Sequence, residues 1–290
     1  MLLTILKKVV LSSVCKQKNL VDKRKSVEKV RQKDQLSALD WHERFTQQAI
    51  WTKDIRQYIL SEVEINPSTR ILEVGSGTGA IIQEIITTNK ESVLNIHGLD
   101  INRSFLSIAR NNLPTVKLSE ADAHYLPYAC NSFHITFCHF FFLWISNPIK
   151  ALSEMIRVTR PGGSIIAFAE PDYGGRIDYP ESLERIGRLQ EIGLKNAGAN
   201  TRIGRQLRYL FKKSGLRNIQ VGVLGNQWRE IIEQDELESE RDMLTYDLGG
   251  LLPPMELQNF QRIDLEAWEE GNRILYVPAF YAWGQTFSIG

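Results

Sequence analysis

Three glycines alternate over residues 75–79, between a run of branched apolar residues and a second apolar run at residues 80–86. The first run favours a strand and the second has helical spacing, so the pattern predicts a strand, a tight loop and a helix. Such a loop offers backbone N–H groups and the positive end of a helix dipole to a ligand. The residues expected to contact that ligand are Glu73, Gly75, Ser76, Gly77 and Gly79.

Two ligand chemistries compete for this loop. The spacing from Gly75 to Ala80 satisfies the G-x-G-x-x-G/A pattern of dinucleotide-binding domains. Glu73 favours the other chemistry, because an acidic side chain beside the loop would repel a pyrophosphate and attract an ammonium or sulfonium group. A glycine-rich turn without any ligand is a third interpretation, although three glycines in five residues weaken a packed junction.

A second acidic residue, Asp100, ends the predicted second strand and lies 21 residues after Gly79. A doubly wound fold places an acid at this point to accept hydrogen bonds from both hydroxyls of a ribose. The alternative is that Asp100 caps the helix predicted at residues 104–111. This residue by itself does not distinguish between the two ligand chemistries.

Two longer strings resemble the class I methyltransferases that use S-adenosylmethionine (SAM). Residues 73–79 are similar to the Glu-x-Gly-x-Gly-x-Gly motif of that family, and residues 154–163 to the Glu-x-x-Arg-Val-x-x-Pro-Gly-Gly string of its ubiquinone-biosynthesis-like, type 11 group. The resemblance covers about residues 45–172. It implies SAM as cofactor and an α/β, Rossmann-like, mostly parallel sheet of seven strands in the order 3-2-1-4-5-7-6, with the last strand antiparallel and helices on both faces.

The same resemblance assigns further residues to the cofactor. Asp122 would bond the adenine amino group, and the backbone N–H of Ala123 would meet the adenine ring. Ile101 is expected beside the cofactor next to Asp100, and His139 at the end of the fourth strand is expected to contact the cofactor as well. Trp51 belongs to a helix predicted before the first strand and is expected to touch the cofactor, with plain packing as its alternative.

Three side chains at the carboxyl ends of predicted strands are candidates for catalysis. His139 ends the fourth strand, where a group with a free pKa of about 6.5 could accept a proton or bind the acceptor. It also precedes three phenylalanines and could simply pack among them. Asp172 and Tyr173 follow the fifth strand and could act as a base or an orienting group, or form only a Pro-Asp-x-Gly turn.

The fourth strand also narrows the class of acceptor. Enzymes that methylate nucleic-acid bases or protein glutamines resemble one another in an Asn/Asp-Pro-Pro-Tyr/Phe run here, and this chain has Cys138-His-Phe-Phe instead. We therefore expect a small-molecule acceptor, methylated at oxygen, nitrogen or carbon, and no nucleic acid. An NAD-dependent oxidoreductase and a catalytically silent module that binds SAM or a partner remain alternatives.

The composition is that of a globular protein, with 43% hydrophobic and 24% charged residues and a net charge of +1. Three cysteines form no CxxC pair, so we expect neither a disulfide framework nor a metal site, which favours a reducing, cytoplasmic compartment. No window reaches the roughly 18 apolar residues that span a bilayer.

The basic N-terminal stretch is treated separately, because residues 1–34 hold ten lysines and arginines against three acids. Residues 1–35 are predicted to form a flexible, solvated tail. Weak contact with a membrane surface and organelle targeting are the alternatives.

Residues 36–290 are expected to form one domain, as a monomer or a homodimer. Its predicted segments are a cofactor-covering helix at 36–66, a cofactor-binding core at 67–172, a helical acceptor region at 173–272 with a strand near 217–224, and a final strand at 273–285. Candidate substrate contacts outside the core are Trp228, Tyr246 and Tyr281.

Overall fold

The computed structural model of the protein describes residues 36–63, 65–88, 95–225 and 234–287. The predicted tail at residues 1–35 and the candidate substrate contact Trp228 lie outside these ranges. Within them, no helix combines the length and the apolar character that crossing a membrane requires.

The strands build one large sheet and one small sheet. They are β1 (Arg70–Val74), β2 (Asn95–Asp100), β3 (Lys117–Glu120), β4 (Phe133–Cys138), β5 (Thr159–Pro171), β6 (Ile177–Tyr179), β7 (Arg217–Val223), β8 (Ile274–Tyr276) and β9 (Ala279–Gln285). The large sheet has the order β3-β2-β1-β4-β5-β9-β7. β1 to β5 pair in parallel, whereas β9 is antiparallel to both of its neighbours. Counted along the chain within this sheet, the order is 3-2-1-4-5-7-6, which confirms the predicted fold.

Two predicted elements are each divided in the structure. The stretch at 273–285 contains β8, which pairs with β6 in the small sheet, and β9, which enters the large sheet. Pro278 lies between them, where its missing N–H cannot join a ladder. The segment at 36–66 likewise contains two helices, which meet at Thr52.

Helices cover both faces of the large sheet. They are α1 (Ala38–Trp51), α2 (Lys53–Glu62), α3 (Ala80–Thr88), α4 (Arg103–Asn112), α5 (Pro148–Val158), α6 (Glu184–Asn196), α7 (Leu207–Lys213), α8 (Gln234–Leu248) and α9 (Pro254–Glu269). Because strand side chains alternate, Leu72 joins a core that includes residues of α5 and α7, whereas Ile71 joins a second core with residues of α1, α2 and α3. Both faces of β1 are therefore buried.

The helical region after β5 has an apolar core of its own. Residues within and next to α6, α8 and α9 pack against one another, separately from the two cores of the sheet: Leu183, Ile186, Leu248, Leu252, Phe260 and Ala267. This arrangement lets α6 and α8 form one wall beside the carboxyl ends of the parallel strands.

The carboxylate of Glu170, near the end of β5, organises the chain that leaves β4. Oε1 accepts hydrogen bonds from the N–H groups of Phe141 and Phe142, both at 2.9 Å, and Oε2 accepts one from Leu143 at 3.1 Å. Burial raises the pKa of Glu170 to about 7, although the three hydrogen bonds act in the opposite direction. One buried carboxylate therefore satisfies three backbone donors beside the strand ends.

Glu170→Ala is expected to lower the free energy of unfolding by about 3 kcal/mol or more, because it leaves three buried N–H groups without their acceptor. Urea unfolding followed by tryptophan fluorescence measures this loss. Glu62→Ala removes an exposed carboxylate from the last turn of α2 and should stay within about 0.5 kcal/mol of the wild type. Equal stability of the Glu170→Ala and wild-type proteins would contradict the structural role of Glu170.

Candidate cofactor and acceptor site

A cavity of about 850 Å³ lies at the carboxyl ends of β1, β2, β3 and β4. Open parallel sheets hold their ligands at this edge. One part of the wall comes from the loop after β1 and the ends of the next strands, and another part comes from α1, α6 and α8. Its volume is at the upper end of the range for small-molecule sites, about 300–1,000 Å³, so it can hold a cofactor and a second ligand.

The glycine loop is held by backbone bonds to β2. The N–H groups of Gly75 and Ser76 donate to the carbonyl of Leu99 at 2.8 and 2.9 Å. Gly75 and Gly77 have φ angles of +76° and +52°, which side chains with a Cβ rarely adopt. A Cβ at Gly75 would also lie 2.5 Å from the ring of Phe141. These glycines allow both the turn and the close packing of aromatic rings around it.

Gly79, which the sequence assigns to the cofactor, does not line the cavity. Its φ is +82°, and a Cβ there would clash with Leu113 and contact Ala109. Gly79 therefore permits the close approach of α3 and α4 behind the loop. The sequence pattern alone does not distinguish a glycine that faces a ligand from one that faces a neighbouring helix.

Glu73 and Ser76 each leave a buried polar atom towards which no described residue donates or accepts a hydrogen bond. These atoms are Oε2 of Glu73 and Oγ of Ser76, and both residues line the cavity. Burial raises the pKa of Glu73 well above its usual value, while the nearby Arg56 acts in the opposite direction. Since unpaired buried polar atoms are costly, the pair suits a ligand that brings donor groups or positive charge.

Asp100 joins the loop to the second strand. Its Oδ2 accepts the N–H of Gly77 at 2.8 Å, and its Oδ1 accepts the N–H of Asn102 at 2.7 Å. Burial raises the pKa of Asp100 in spite of these bonds. The cap of α4 is Asn102, whose side chain accepts from Ser104 and Phe105, so the alternative that Asp100 caps this helix is wrong. Asp100 and the exposed Ile101 both line the cavity.

Asp122 and Ala123 lie at the same edge, directly after β3, and both line the cavity. Oδ1 of Asp122 accepts the N–H of His124 at 2.8 Å and contacts its Nδ1 at 2.6 Å. These bonds lower the pKa of Asp122. His124 thus orients the carboxylate, a partnership that the sequence analysis did not identify.

His139 is the one predicted catalytic residue that lines the cavity, and a buried polar chain stands behind it. Its Nε2 lies 2.8 Å from Oγ1 of Thr52, which donates its proton to the carbonyl of Gln48 at 2.9 Å. Arg56 also donates to Oγ1 of Thr52, and its Nε donates to Oε2 of Glu84 at 3.0 Å. Because the hydroxyl has one proton and arginine only donates, all three contacts of Oγ1 are satisfied together only when Nε2 carries the proton of the imidazole. Nδ1 is then bare.

Electrostatics also keep His139 neutral. Burial is the main cause that lowers the pKa of His139 well below its usual value, and the positive charge of Arg56 adds to it. A neutral imidazole with a bare nitrogen can accept a proton or a hydrogen bond at pH 7. The break between α1 and α2 at Thr52 therefore places a hydroxyl that determines the tautomer of His139.

Thr52→Val should free the imidazole of His139 from its fixed tautomer, because a methyl group of similar size replaces the hydroxyl. Long-range ¹⁵N–¹H NMR is expected to show Nε2–H alone in the wild type and both tautomers in the variant. Thr46→Val is the matched control, since this exposed hydroxyl bonds only the carbonyl of His42. The assignment fails if the wild-type imidazole is protonated at Nδ1 or titrates near pH 6.5.

Asp172 and Tyr173 do not line the cavity, so the structure does not support either as the base. The carboxylate of Asp172 is buried and pairs with Arg205, and it also accepts the N–H of Gly174 at 3.0 Å. Burial raises the pKa of Tyr173 to about 12. The ion pair with Arg205, which lies far along the chain, holds the carboxylate of Asp172 away from the cavity.

Three of the aromatic residues predicted to contact the cofactor or the substrate lie among the described residues, and one of the three lines the cavity. Tyr246 lines the cavity, and its ring lies 5.5 Å from that of Trp41 in an edge-on arrangement. Trp51, predicted to contact the cofactor, lies outside the lining, with Arg44 stacked 4.6 Å above its ring. Tyr281 covers Gly222 on β7 and does not line the cavity either.

Helical periodicity explains which residues of α1 line the cavity. Trp41, Phe45 and Gln48 are four and three residues apart and share one face, which lines the cavity. Trp51 continues this spacing in the last turn of α1, but it does not line the cavity. The residue of α8 that was missed, Asp247, gives no signal in the sequence because no motif surrounds it.

Comparison with known proteins finds similarity to methyltransferases over part of the chain. Residues 72–167 match a family model described as a methyltransferase domain. Demethylmenaquinone methyltransferase of Renibacterium salmoninarum is 32% identical over 137 residues, which are 46% of this chain and 56% of that protein. Ubiquinone/menaquinone biosynthesis C-methyltransferase of Campylobacter jejuni is 30% identical over 154 residues, which are 51% of this chain and 65% of that protein. The match thus spans between about half and two thirds of these relatives.

Solved structures show the same fold at lower sequence identity. Phosphoethanolamine N-methyltransferase 2 of Haemonchus contortus in complex with SAM has a TM-score of 0.53 and 17% identity. The similarity covers 81% of this chain and 52% of that chain. It extends the Rossmann-like architecture well beyond the residues that match the family model.

Proposed function

We propose that this chain transfers a methyl group from SAM to a small-molecule acceptor, because residues 72–167 match a family model described as a methyltransferase domain. The main support for this proposal is that one cavity is lined by the glycine loop, Asp100 and Asp122 on one side and by residues of α6 and α8 on the other. The reaction is an in-line displacement by an oxygen, nitrogen or carbon nucleophile.

The strand ends supply the binding groups for the cofactor. Asp122 and the backbone of Ala123 hold the adenine, and Asp100 receives the ribose hydroxyls. Glu73 and Ser76 face the amino-acid end, where their unpaired buried atoms gain partners. When bound, SAM supplies an electrophilic methyl group on a sulfonium, which explains why few protein groups need to take part in the chemistry.

The main contribution of the protein is alignment and exclusion of water, which can be worth about 7–11 kcal/mol. α1 and α8, which both line the cavity, contact each other through the ion pair of Arg44 and Glu240 and the hydrogen bond from Ser239 to Gln47 at 2.8 Å. Closure at this contact separates the reacting groups from solvent. The neutral imidazole of His139 orients the nucleophile or accepts its proton through the bare Nδ1.

Isothermal titration calorimetry with S-adenosylhomocysteine (SAH) and with NAD tests the cofactor. We expect SAH to bind and NAD to bind at least about 100-fold more weakly, which is a difference of about 2.7 kcal/mol. Preferential binding of NAD would contradict the proposal. Tight binding of SAH without any labelled product, after incubation of methyl-labelled SAM with a broad metabolite extract, would instead indicate a catalytically silent module.

Asp122→Ala should weaken SAH binding about tenfold, because it removes a charged acceptor of hydrogen bonds from a cavity wall. The melting temperature should stay close to that of the wild type, since the side chain of Asp122 is half-exposed. Asp242→Asn changes an exposed acid on α8 and should leave the affinity unchanged. Equal SAH affinity of Asp122→Ala and wild-type protein would remove Asp122 from the adenine site.

A further inference from the structure

Asp247, near the end of α8, is the only charged side chain among the described cavity residues that follow Tyr173. Glu73, Asp100 and Asp122 come from the strand ends, whereas Asp247 comes from the helical region. A partly buried carboxylate needs a reason to be held against a wall that is otherwise mostly apolar. The proposed binding of the cofactor does not use Asp247 and therefore does not explain its position.

The orientation of Asp247 is determined by Gln190 on α6. Nε2 of Gln190 donates to Oδ2 of Asp247 at 2.6 Å, and Oε1 of Gln190 accepts from Arg176. Because arginine only donates, the amide oxygen of Gln190 must face Arg176 and its amino group must face Asp247. Asp247 is therefore fixed as the acceptor at this contact.

Behind Gln190 lies a chain of buried charges that keeps it in place. Arg176 donates to both carboxylate oxygens of Asp178, at 2.6 and 2.9 Å. Arg273 donates to Asp178 at 2.9 Å and to Asp264 on α9 at 2.6 Å. The side chains of Arg176, Asp178 and Arg273 are almost fully buried. These ion pairs connect the small sheet and α9 to Gln190, and Gln190 in turn orients the carboxylate in the cavity.

Backbone packing also holds Asp247. A Cβ at Gly193 on α6 would overlap the carbonyl oxygen of Asp247, so the two helices approach as closely as their backbones allow. Gly193 and Asp247 both line the cavity. The carboxylate is thus placed by its side-chain partner and by the crossing of α6 and α8.

One oxygen of Asp247 is left for a ligand. Among the described residues no donor reaches Oδ1, and this atom is not one of the buried unpaired atoms. Burial raises the pKa of Asp247 to about 6, with Arg44 and Arg176 acting against the rise and Glu240 adding to it. At pH 7.5 the carboxylate is mainly ionised and accepts hydrogen bonds strongly.

Other side chains of the same cavity define the rest of the ligand. Trp41, Phe140, Trp144, Tyr246 and Leu251 all line the cavity. Flat aromatic side chains favour a flat apolar body. We infer that Asp247 binds the proton-bearing group, a hydroxyl or an amine, of a flat and otherwise apolar acceptor. This inference rests on the proposed methyl transfer and adds the acceptor class.

The test uses the full chain saturated with SAH at pH 7.5 and three probes: 2-naphthol, 2-aminonaphthalene and 2-methoxynaphthalene. Protein-observed NMR titrations give the dissociation constants. The hydroxyl or the amino probe is expected to bind at least tenfold more tightly than the methyl ether, which cannot donate a proton. The stronger of the two identifies the acceptor as a phenol-like or an amine compound.

Asp247→Asn makes the test specific. Because Gln190 requires an acceptor, the carbonyl of the new amide must face Gln190, and its NH₂ group then faces the ligand. The hydroxyl and amino probes should bind tenfold or more weakly, while the methyl ether keeps its affinity. Asp242→Asn on the same helix is the control and should change none of the three constants. A purely structural role of Asp247 would weaken all probes alike.

The outcomes separate this inference from the proposed function. Calorimetry must first show that SAH binds the wild type and Asp247→Asn equally. If SAH fails to bind the wild type, both proposals are overturned. If SAH binds but no probe binds, or the three probes respond alike to Asp247→Asn, the acceptor assignment is overturned and the proposed methyl transfer stands.

Discussion

Three successive backbone N–H groups after β1 are all bonded to the end of β2. Gly75 and Ser76 donate to the carbonyl of Leu99, and Gly77 donates to the carboxylate of Asp100. A positive φ at Gly75 and Gly77 makes this geometry possible. The turn sets the direction of α3 and brings two strand ends together at one edge. The other candidate cofactor residues follow from the same parallel register.

The helical region is held together by polar contacts that are costly to bury. A buried charge destabilises a fold unless it is paired, and breaking such a pair costs more than the pair contributes. The carboxylate of Asp178 is bound by Arg176 and Arg273, and Gln190 carries the geometry on to Asp247. Such a network restricts α6 and α8 to one arrangement, because other arrangements would leave charges unpaired.

A similar constraint operates on the other side of the cavity. Arg56 is fully buried between Glu84 and Thr52, and the hydroxyl of Thr52 contacts His139. The positive charge that holds α2 against α3 also disfavours protonation of the imidazole. Structural stability and the state of the candidate catalytic group thus depend on the same buried arginine. On each side of the cavity one polar side chain, His139 or Asp247, is therefore oriented by a hydrogen bond with a residue behind it.

The sequence by itself determined the large sheet and most of the cofactor half, because these depend on local patterns. Glu73, Asp100 and Asp122 each follow or end a parallel strand, and the carboxyl ends of such strands meet at one edge. A strand, a loop and a helix in succession leave little freedom in where their residues lie. The pattern could not tell that Gly79 faces α4, since positive φ and ligand approach select glycine equally.

Tertiary structure alone decided the part of the cavity wall that comes from the helical region, and also the partners of the titratable groups. Asp172 directly follows a strand and still pairs with Arg205, 33 residues later, instead of entering the cavity. Asp247 enters the cavity although no motif marks it, because α6 and α8 cross at Gly193 and Gln190 binds its side chain. Contacts between residues far apart in the chain depend on how separate elements pack. Local periodicity specifies which face of a helix is buried, but not which distant side chain meets it.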